Sequence, residues 1–406
     1  MRQRRLKPTN PITIVFLLLL IVGVLYFNQV VVPTVPAFVE PSRTPTRSPE
    51  SFLNEAGQAF QAGKLKAAID AYKQAILVDP ANASTYVALA RVQVFDGQYA
   101  DALDSAEKSL VLSPDYSLAH AVRGWALSFL GKSLEAAGAV NKAISLDPNN
   151  GLAYAYYTEI LVNSGSYENI QKAIDISRKA ESLAPQTLET FRARALVLYT
   201  SSPDNYDAAI EQYKAAISLN GKLWDLHFSL GYVYALRGDY DLSVEEMNTA
   251  FSLNPTNPEI PTELSRTYAK AGQFGTAVQY AEQAVNIDMT SPRLHGNLGV
   301  MLYRSKKEFN DRAIAELGLA VRGGKTADGV EVKGLPLEPG KVADEYFSIY
   351  GWALARADRC NEAVPIFQAI IQNIAPDQIA YDNATQGIAF CQETVRTPAP
   401  EVTATP

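Results

Sequence analysis

The chain is poor in the residues that do chemistry. Its 406 residues include three histidines, two cysteines and four methionines. Two cysteines cannot make a disulfide-dense scaffold. No Walker-type glycine loop, no His-Glu-x-x-His and no Gly-x-Ser-x-Gly occurs. A basic face is missing as well. The net charge is -7, and Arg2, Arg4, Arg5 and Lys7 sit together at the extreme N-terminus. Without those four, 43 acidic residues face 32 basic ones, a balance that argues against a nucleic-acid partner. Acidic residues are abundant, but they read as the solvated faces of helices, and no pair among them is marked as acid and base. The expectation is therefore a non-enzymatic protein with no catalytic residue, no cofactor and no metal site.

Long apolar runs are absent except for one. Ile12 to Val32 carries no charge and is interrupted only by Asn28 and Gln29. As a helix it is about 30 Å long, the thickness of a bilayer core. Residues 1–11 form a basic segment before it, and the positive-inside rule puts that segment in the cytoplasm and everything after the span outside. This predicts a single-pass signal-anchor at 12–32 with an extracytoplasmic domain. A cleaved signal peptide is the alternative, although its apolar region is usually shorter and followed by a small-x-small site. Residues 33–50 hold five prolines among small polar residues and read as a semi-extended spacer.

What the rest of the chain has is a period. Asp79-Pro80, Ser113-Pro114 and Asp147-Pro148 recur every 34 residues, as do Gly63, Gly97, Gly131 and Gly165, and Ala68, Ala102 and Ala136. A period in the 20–50 range indicates a solenoid in which each unit buries its apolar face against the next. Each period reads as two short helices, A and B. Alanine or glycine at the crossing lets the axes approach, and the Asp-Pro turn stops helix B. About eight repeats fit within 51–320. Repeat 4 places Ala173 three residues late, which predicts a longer turn at Tyr167–Ile170, and repeat 5 has Ser201-Ser202-Pro203-Asp204 at its inner turn.

This pattern resembles the tetratricopeptide repeat family, and the simple anchor suggests a bacterial, membrane-anchored member. Repeat 6 carries the motif as His227, Leu230, Gly231, Tyr234, Gly238, Ser243, Met247, Ala250 and Pro255, with Ser243 and Met247 departing from the usual alanine and aromatic. The resemblance implies an all-α, right-handed superhelical solenoid of antiparallel helix pairs with a concave face formed by the A helices. It also implies a protein or peptide as partner. The family's carboxylate clamp of lysine and asparagine and its asparagine ladder have no counterpart here.

The period breaks at 321–343, where Gly323-Gly324, Asp328-Gly329 and Pro336 signal turns and Val330, Val332 and Leu335 suit a short extended piece. A loop between helices is expected there, with a flap over the groove as the alternative. The period resumes over 344–395 as a final repeat and a capping helix, and 396–406 reads as a disordered tail. The groove positions that follow from the helix A faces give Trp125, Tyr156, Tyr232, Glu263, Arg266, Arg293, Asn297 and Trp352 as binding candidates. The three histidines open helix A in their respective repeats, which predicts a packing role. Cys360 starts the last helix B and Cys391 ends the capping helix, so antiparallel packing brings them to bridging distance. A disulfide is expected, with two free buried thiols as the alternative. The function that follows is a membrane-anchored scaffold. The alternatives are a structural subunit of an envelope assembly and a recognition subunit of an enzyme complex. The sequence leaves homo-oligomerisation open.

Overall fold

The computed structural model describes residues 10–31, 47–305, 310–374 and 377–396. The basic N-terminus, residue 32 of the span, most of the proline-rich spacer and the tail lie outside the described residues. The chain divides into two units, Met1–Ser48 and Pro49–Pro406.

In the first unit, α1 (Pro11–Tyr26) starts with Asn10, whose side chain accepts from the Ile12 amide, and has proline in its first turn. A π-helical turn, Phe27–Val31, continues it. No residue of α1 is buried, so its apolar side chains find no cover among the described residues. Pro11–Val30 is long and apolar enough to cross a membrane; a signal sequence passes the same test.

The second unit is a run of helix pairs. Repeat 1 pairs α2 (Pro49–Gln61) with α3 (Leu65–Val78), and repeat 2 pairs α4 (Ala83–Phe95) with α5 (Tyr99–Leu112). Repeats 3 and 4 follow as α6 (Ser117–Phe129) with α7 (Ser133–Leu146), then α8 (Gly151–Asn163) with α9 (Tyr167–Leu183). Repeats 5 and 6 are α10 (Leu188–Ser201) with α11 (Tyr206–Leu219), then α12 (Trp224–Arg237) with α13 (Tyr240–Leu253). Repeats 7 and 8 are α14 (Glu259–Lys270) with α15 (Phe274–Ile287), then α16 (Pro292–Ser305) with α17 (Asn310–Arg322). The array closes with α18 (Ser348–Arg356), entered through a π-helical turn Val342–Phe347, then α19 (Cys360–Asn373) and α20 (Gln378–Arg396). The first helix begins at Pro49, two residues inside the stretch expected to be spacer.

The local chemistry explains the boundaries. Gly63, Gly97, Gly131, Gly165, Gly238 and Gly272 end the A helices with positive φ, the left-handed cap that glycine adopts without steric cost. In the final repeat Asp358 holds that position at φ 58°. The crossing of A and B demands a small residue. A Cβ on Gly124 would lie 2.9 Å from the Ala136 carbonyl, and one on Gly231 would lie 2.8 Å from Met247 Cγ. Alanines at the B-helix crossings, from Ala68 to Ala363, are fully buried.

Two expectations change in detail. The three extra residues of repeat 4 lengthen α9 to 17 residues and do not lengthen its turn, because Ser166 caps the helix directly before Tyr167. The 321–343 segment is more than a loop. Gly324–Lys325 (β1) pairs antiparallel with Glu331–Val332 (β2), and the Leu335 amide donates to the Ala320 carbonyl, which ties the hairpin back to α17.

Candidate functional site

The A helices carry the residues that face inward. In repeats 2 to 6 these side chains meet one another. Trp125 of α6 stacks on Tyr156 of α8 with ring centroids 4.5 Å apart, and Phe95 of α4 meets the Trp125 edge at 5.3 Å. The Trp125 indole donates to Glu159 Oε2 at 2.7 Å. The Arg192 guanidinium of α10 lies 5.4 Å from both the Phe95 and Trp125 rings. It faces Glu159 at 3.6 Å and Asp225 of α12 at 3.5 Å. Further in sequence, Arg91 of α4 reaches 98 residues across to Glu189 and donates to the Tyr156 hydroxyl. Burial raises the Glu159 and Asp225 carboxyls above their ordinary range, opposed by Arg192. It pushes the Tyr199 hydroxyl up to about 12.

Some of these contacts join repeats that are not neighbours: Arg192 of repeat 5 to Phe95 and Trp125, and Arg91 of repeat 2 to Glu189 and Tyr156. At one edge the Asn220 amide, in the turn after α11, donates to the Phe60 carbonyl of α2 at 3.0 Å. A Cβ on Gly63 would collide with Lys222 in the same turn. Repeat 1 thus touches the junction of repeats 5 and 6, and the inner face between them is filled by the chain's own side chains. Trp125 and Tyr156 are both 0% exposed. This corrects their expected place as groove anchors: the curvature packs them against Phe95, Arg91 and Arg192, and they offer a partner no surface.

The remaining candidates lie further along. Tyr232 of α12 is half-buried, edge-on to Tyr199 at 6.0 Å. Glu263 and Arg266 form an ion pair along one face of α14. Tyr346 comes from the π-helical turn, and its ring passes close over Gly296, where a Cβ would lie 2.9 Å away. Burial raises the Tyr346 hydroxyl, opposed by Arg266 and Arg293 beside it. Arg293 is exposed, while the Nε of Arg266 is buried without a hydrogen-bond acceptor. Lys341 adds a cation whose pKa is lowered by burial and by Arg266, with Glu345 opposing at 3.8 Å. Asn297 is buried and donates to Ser265 Oγ at 3.3 Å, so its amide is spent inside the array, contrary to its expected place in the groove. Trp352 is half-buried between Phe367 and Phe390, with centroids at 5.9 and 5.7 Å, and serves the packing of the final helices. Tyr232, Glu263 and Arg266 are half-buried and close to one another, Arg293 is exposed, and Tyr346, Lys341 and Glu345 lie near Arg266. No sequence signal pointed to Lys341, Glu345 and Tyr346, because they lie at or just past the end of the irregular segment.

The other singled-out residues are structural. Each histidine ring meets a backbone carbonyl six residues earlier: Pro114, Gly221 and Met289. His227 and His295 also contact Glu246 and Glu316 at 2.7 and 2.6 Å. Burial works against their charge, yet these carboxylates and carbonyls together hold both imidazoles above the usual pKa. Cys360 and Cys391 form a disulfide with Cα atoms 5.5 Å apart.

Comparison with known proteins agrees with this architecture. A family model described as TPR repeat matches residues 58–94 and 204–238, and two described as tetratricopeptide repeat match 87–151 and 225–257. No curated protein matches the chain. Among solved structures, the human IFIT1 dimer with m7Gppp-AAAA is similar at TM-score 0.54 and 14% identity, over 86% of this chain and 74% of that one. The APC/C hetero-tetramer Cut9-Hcn1 gives TM-score 0.49 at 18% identity over 63% of this chain, which spans 48% of its length. A tetratricopeptide repeat protein from Parabacteroides merdae gives 0.41 at 16% identity, over 62% and 98%. The likeness to the IFIT1 structure is one of fold. With its 34-residue period, its paired antiparallel helices and the family-model matches over 58–151 and 204–257, the chain carries tetratricopeptide repeats.

Proposed function

We propose that this protein is a non-enzymatic, membrane-anchored scaffold that binds a protein or peptide on the extracytoplasmic side. Tetratricopeptide repeats build protein-interaction scaffolds, and the apolar, uncovered helix α1 behind a basic segment supports the anchor and its direction. The binding strip runs over Tyr232, Glu263, Arg266 and Arg293, with Tyr346 at its far side. The observation that carries it is Arg266. Its Nε is buried with no acceptor, next to the exposed Arg293. A buried donor left unmatched costs about 1–3 kcal/mol, and an acidic or carbonyl group of a partner laid on this strip would supply the missing acceptor.

A photocrosslinking amino acid at Tyr232, in the full chain in its native membrane, tests this. A discrete crosslinked species is expected, absent when the same group replaces Ser252 on the outer face, and reduced by the pair Arg266→Ala and Arg293→Ala. Equal labelling from both positions would reject the strip. Topology has its own check. Protease added to spheroplasts should digest the repeat domain, and full protection there, with cleavage after lysis, would reverse the orientation.

A further inference from the structure

The repeats serve as one another's controls, and two departures converge on one place. Nine residues after the small crossing residue of each helix B lies an outward position. It is Ser145, Ser182, Ser218 and Ser252 in repeats 3 to 6, and Asn286, Arg322 and Gln372 in repeats 7 to 9, all exposed. In repeats 1 and 2 the same position is Leu77 and Val111, 74% and 82% exposed. Two adjacent repeats have thus exchanged a polar surface residue for an aliphatic one.

The second departure shares a groove with Leu77, while Val111 stands outside that groove's lining. Three residues after the helix A crossing residue, the array places leucine (Leu127, Leu161, Leu198, Leu302, Leu354) or tyrosine (Tyr234, Tyr268), with Ala59 in the first repeat. Repeat 2 alone has a polar residue there, Gln93. It is 2% exposed, and its Oε1 is buried with no hydrogen-bond partner. Gln93 forms the floor of a groove of about 520 Å³ between α3, α4 and α5, with Leu77 and Ile76 on its rim. Ser105, also buried, lines the floor beside it.

The charges of the groove constrain what enters it. Lys108 is closed on Asp104 at 2.6 Å, and Lys73 and Asp101 balance each other on opposite walls. The lining is neutral, and its buried unmatched atom is an acceptor. The complementary group has a neutral apolar body and one N–H or O–H at its tip, which is the description of an indole or phenol side chain. We propose that this outer groove of repeats 1 and 2 is a docking site for a protein segment that inserts a tryptophan or tyrosine, with its N–H or O–H donated to Gln93 Oε1. The site is separate from the inner strip and stands or falls without it.

The test uses the full chain in detergent micelles with three probes: N-acetyl-tryptophanamide, its 1-methylindole analogue and N-acetyl-phenylalaninamide. Methyl NMR of the wild type should show the tryptophan probe shifting Leu77, Ile76 and Leu89, which line the groove. The methylated analogue should bind about three- to tenfold more weakly, the value of one neutral hydrogen bond. Gln93→Leu places the residue of five other repeats at this position, so its melting temperature should hold or rise, and the two indoles should then bind alike. Leu77→Ser with Val111→Ser, again native-like elsewhere in the array, should weaken all three probes. Equal affinity of the two indoles for the wild type, or shifts confined to other methyls, would overturn the proposal. A smaller particle on Leu77→Ser with Val111→Ser, with no probe-induced shift, would assign the patch to a second copy of the chain and overturn it equally.

Discussion

Gly387 and Gly138 are both helical glycines, and an alanine at each has opposite consequences. A Cβ at Gly387 would collide with the Phe367 ring, while at Gly138 nothing lies within 4 Å. Gly387→Ala should cost at least about 1–3 kcal/mol through overpacking. Gly138→Ala should gain roughly 0.5–1 kcal/mol through helix propensity. Chemical denaturation of the two variants checks both signs at once. The histidines carry a pH dependence. The folded pKa of His295 lies above its unfolded value, so its stabilisation is complete below about pH 6.5 and is lost as the pH climbs through the folded pKa. The Tm gap between wild type and His295→Gln should therefore be wider near pH 5.5 than near pH 9. A gap that does not change with pH would refute the charged pair with Glu316. At this scale the sequence was most legible where a residue's partner sits at a fixed offset. The histidine positions followed from the period alone. Arg192 did not, because its partners Phe95, Trp125, Glu159 and Asp225 come from four different A helices, and only the curvature of the array decides which of them meet.

Helices were legible because their ends are written locally, in glycine at the A-helix stop and proline after the B-helix stop. The exceptions have local causes too. Ser166 captured three residues for α9 that an inserted turn could equally have held, and the hairpin at 324–332 rests on two strands of two residues each, too short for an alternating pattern. The cysteine pair was readable from antiparallel packing. It staples α19 to α20, the end of the array, where a terminal helix has a neighbour on one side only. The bridge spans 31 residues, for which the chain-entropy account gives about 3–4 kcal/mol. Replacing both cysteines with alanine should strip hydrogen-exchange protection from α20 before any other helix of the second unit. Uniform loss of protection would mean that the bridge stabilises the domain as a whole. Thiol labelling of the denatured, unreduced protein should find no free thiol.

An open solenoid couples each repeat only to its neighbours, so its ends fray independently. Here the Phe60 carbonyl receives the Asn220 amide across 160 residues, and Arg91 reaches Glu189 across 98. Repeats 1 to 6 should therefore exchange amide protons as one cooperative block. Asn220→Ala should uncouple α2 and α3 from it, lowering their protection while α12 keeps its own. If α2 and α3 exchange in the wild type as fast as in the variant, the seam carries no coupling. None of this could be read from the period, which describes a repeat and its successor and is silent on the fifth.

That seam also decides how the domain would respond to tension. A pull along the chain from its N-terminal side enters the repeats at Pro49 and loads α2 first. The hydrogen bond at Phe60 and the packing of Gly63 on Lys222 hold the first helix pair to the turn after α11, so the junction should be tested as the first contact to yield, ahead of any helix pair. Its rupture would release Phe60 from the Phe95 ring, which it meets at 5.6 Å, baring an aromatic surface that exists only under strain.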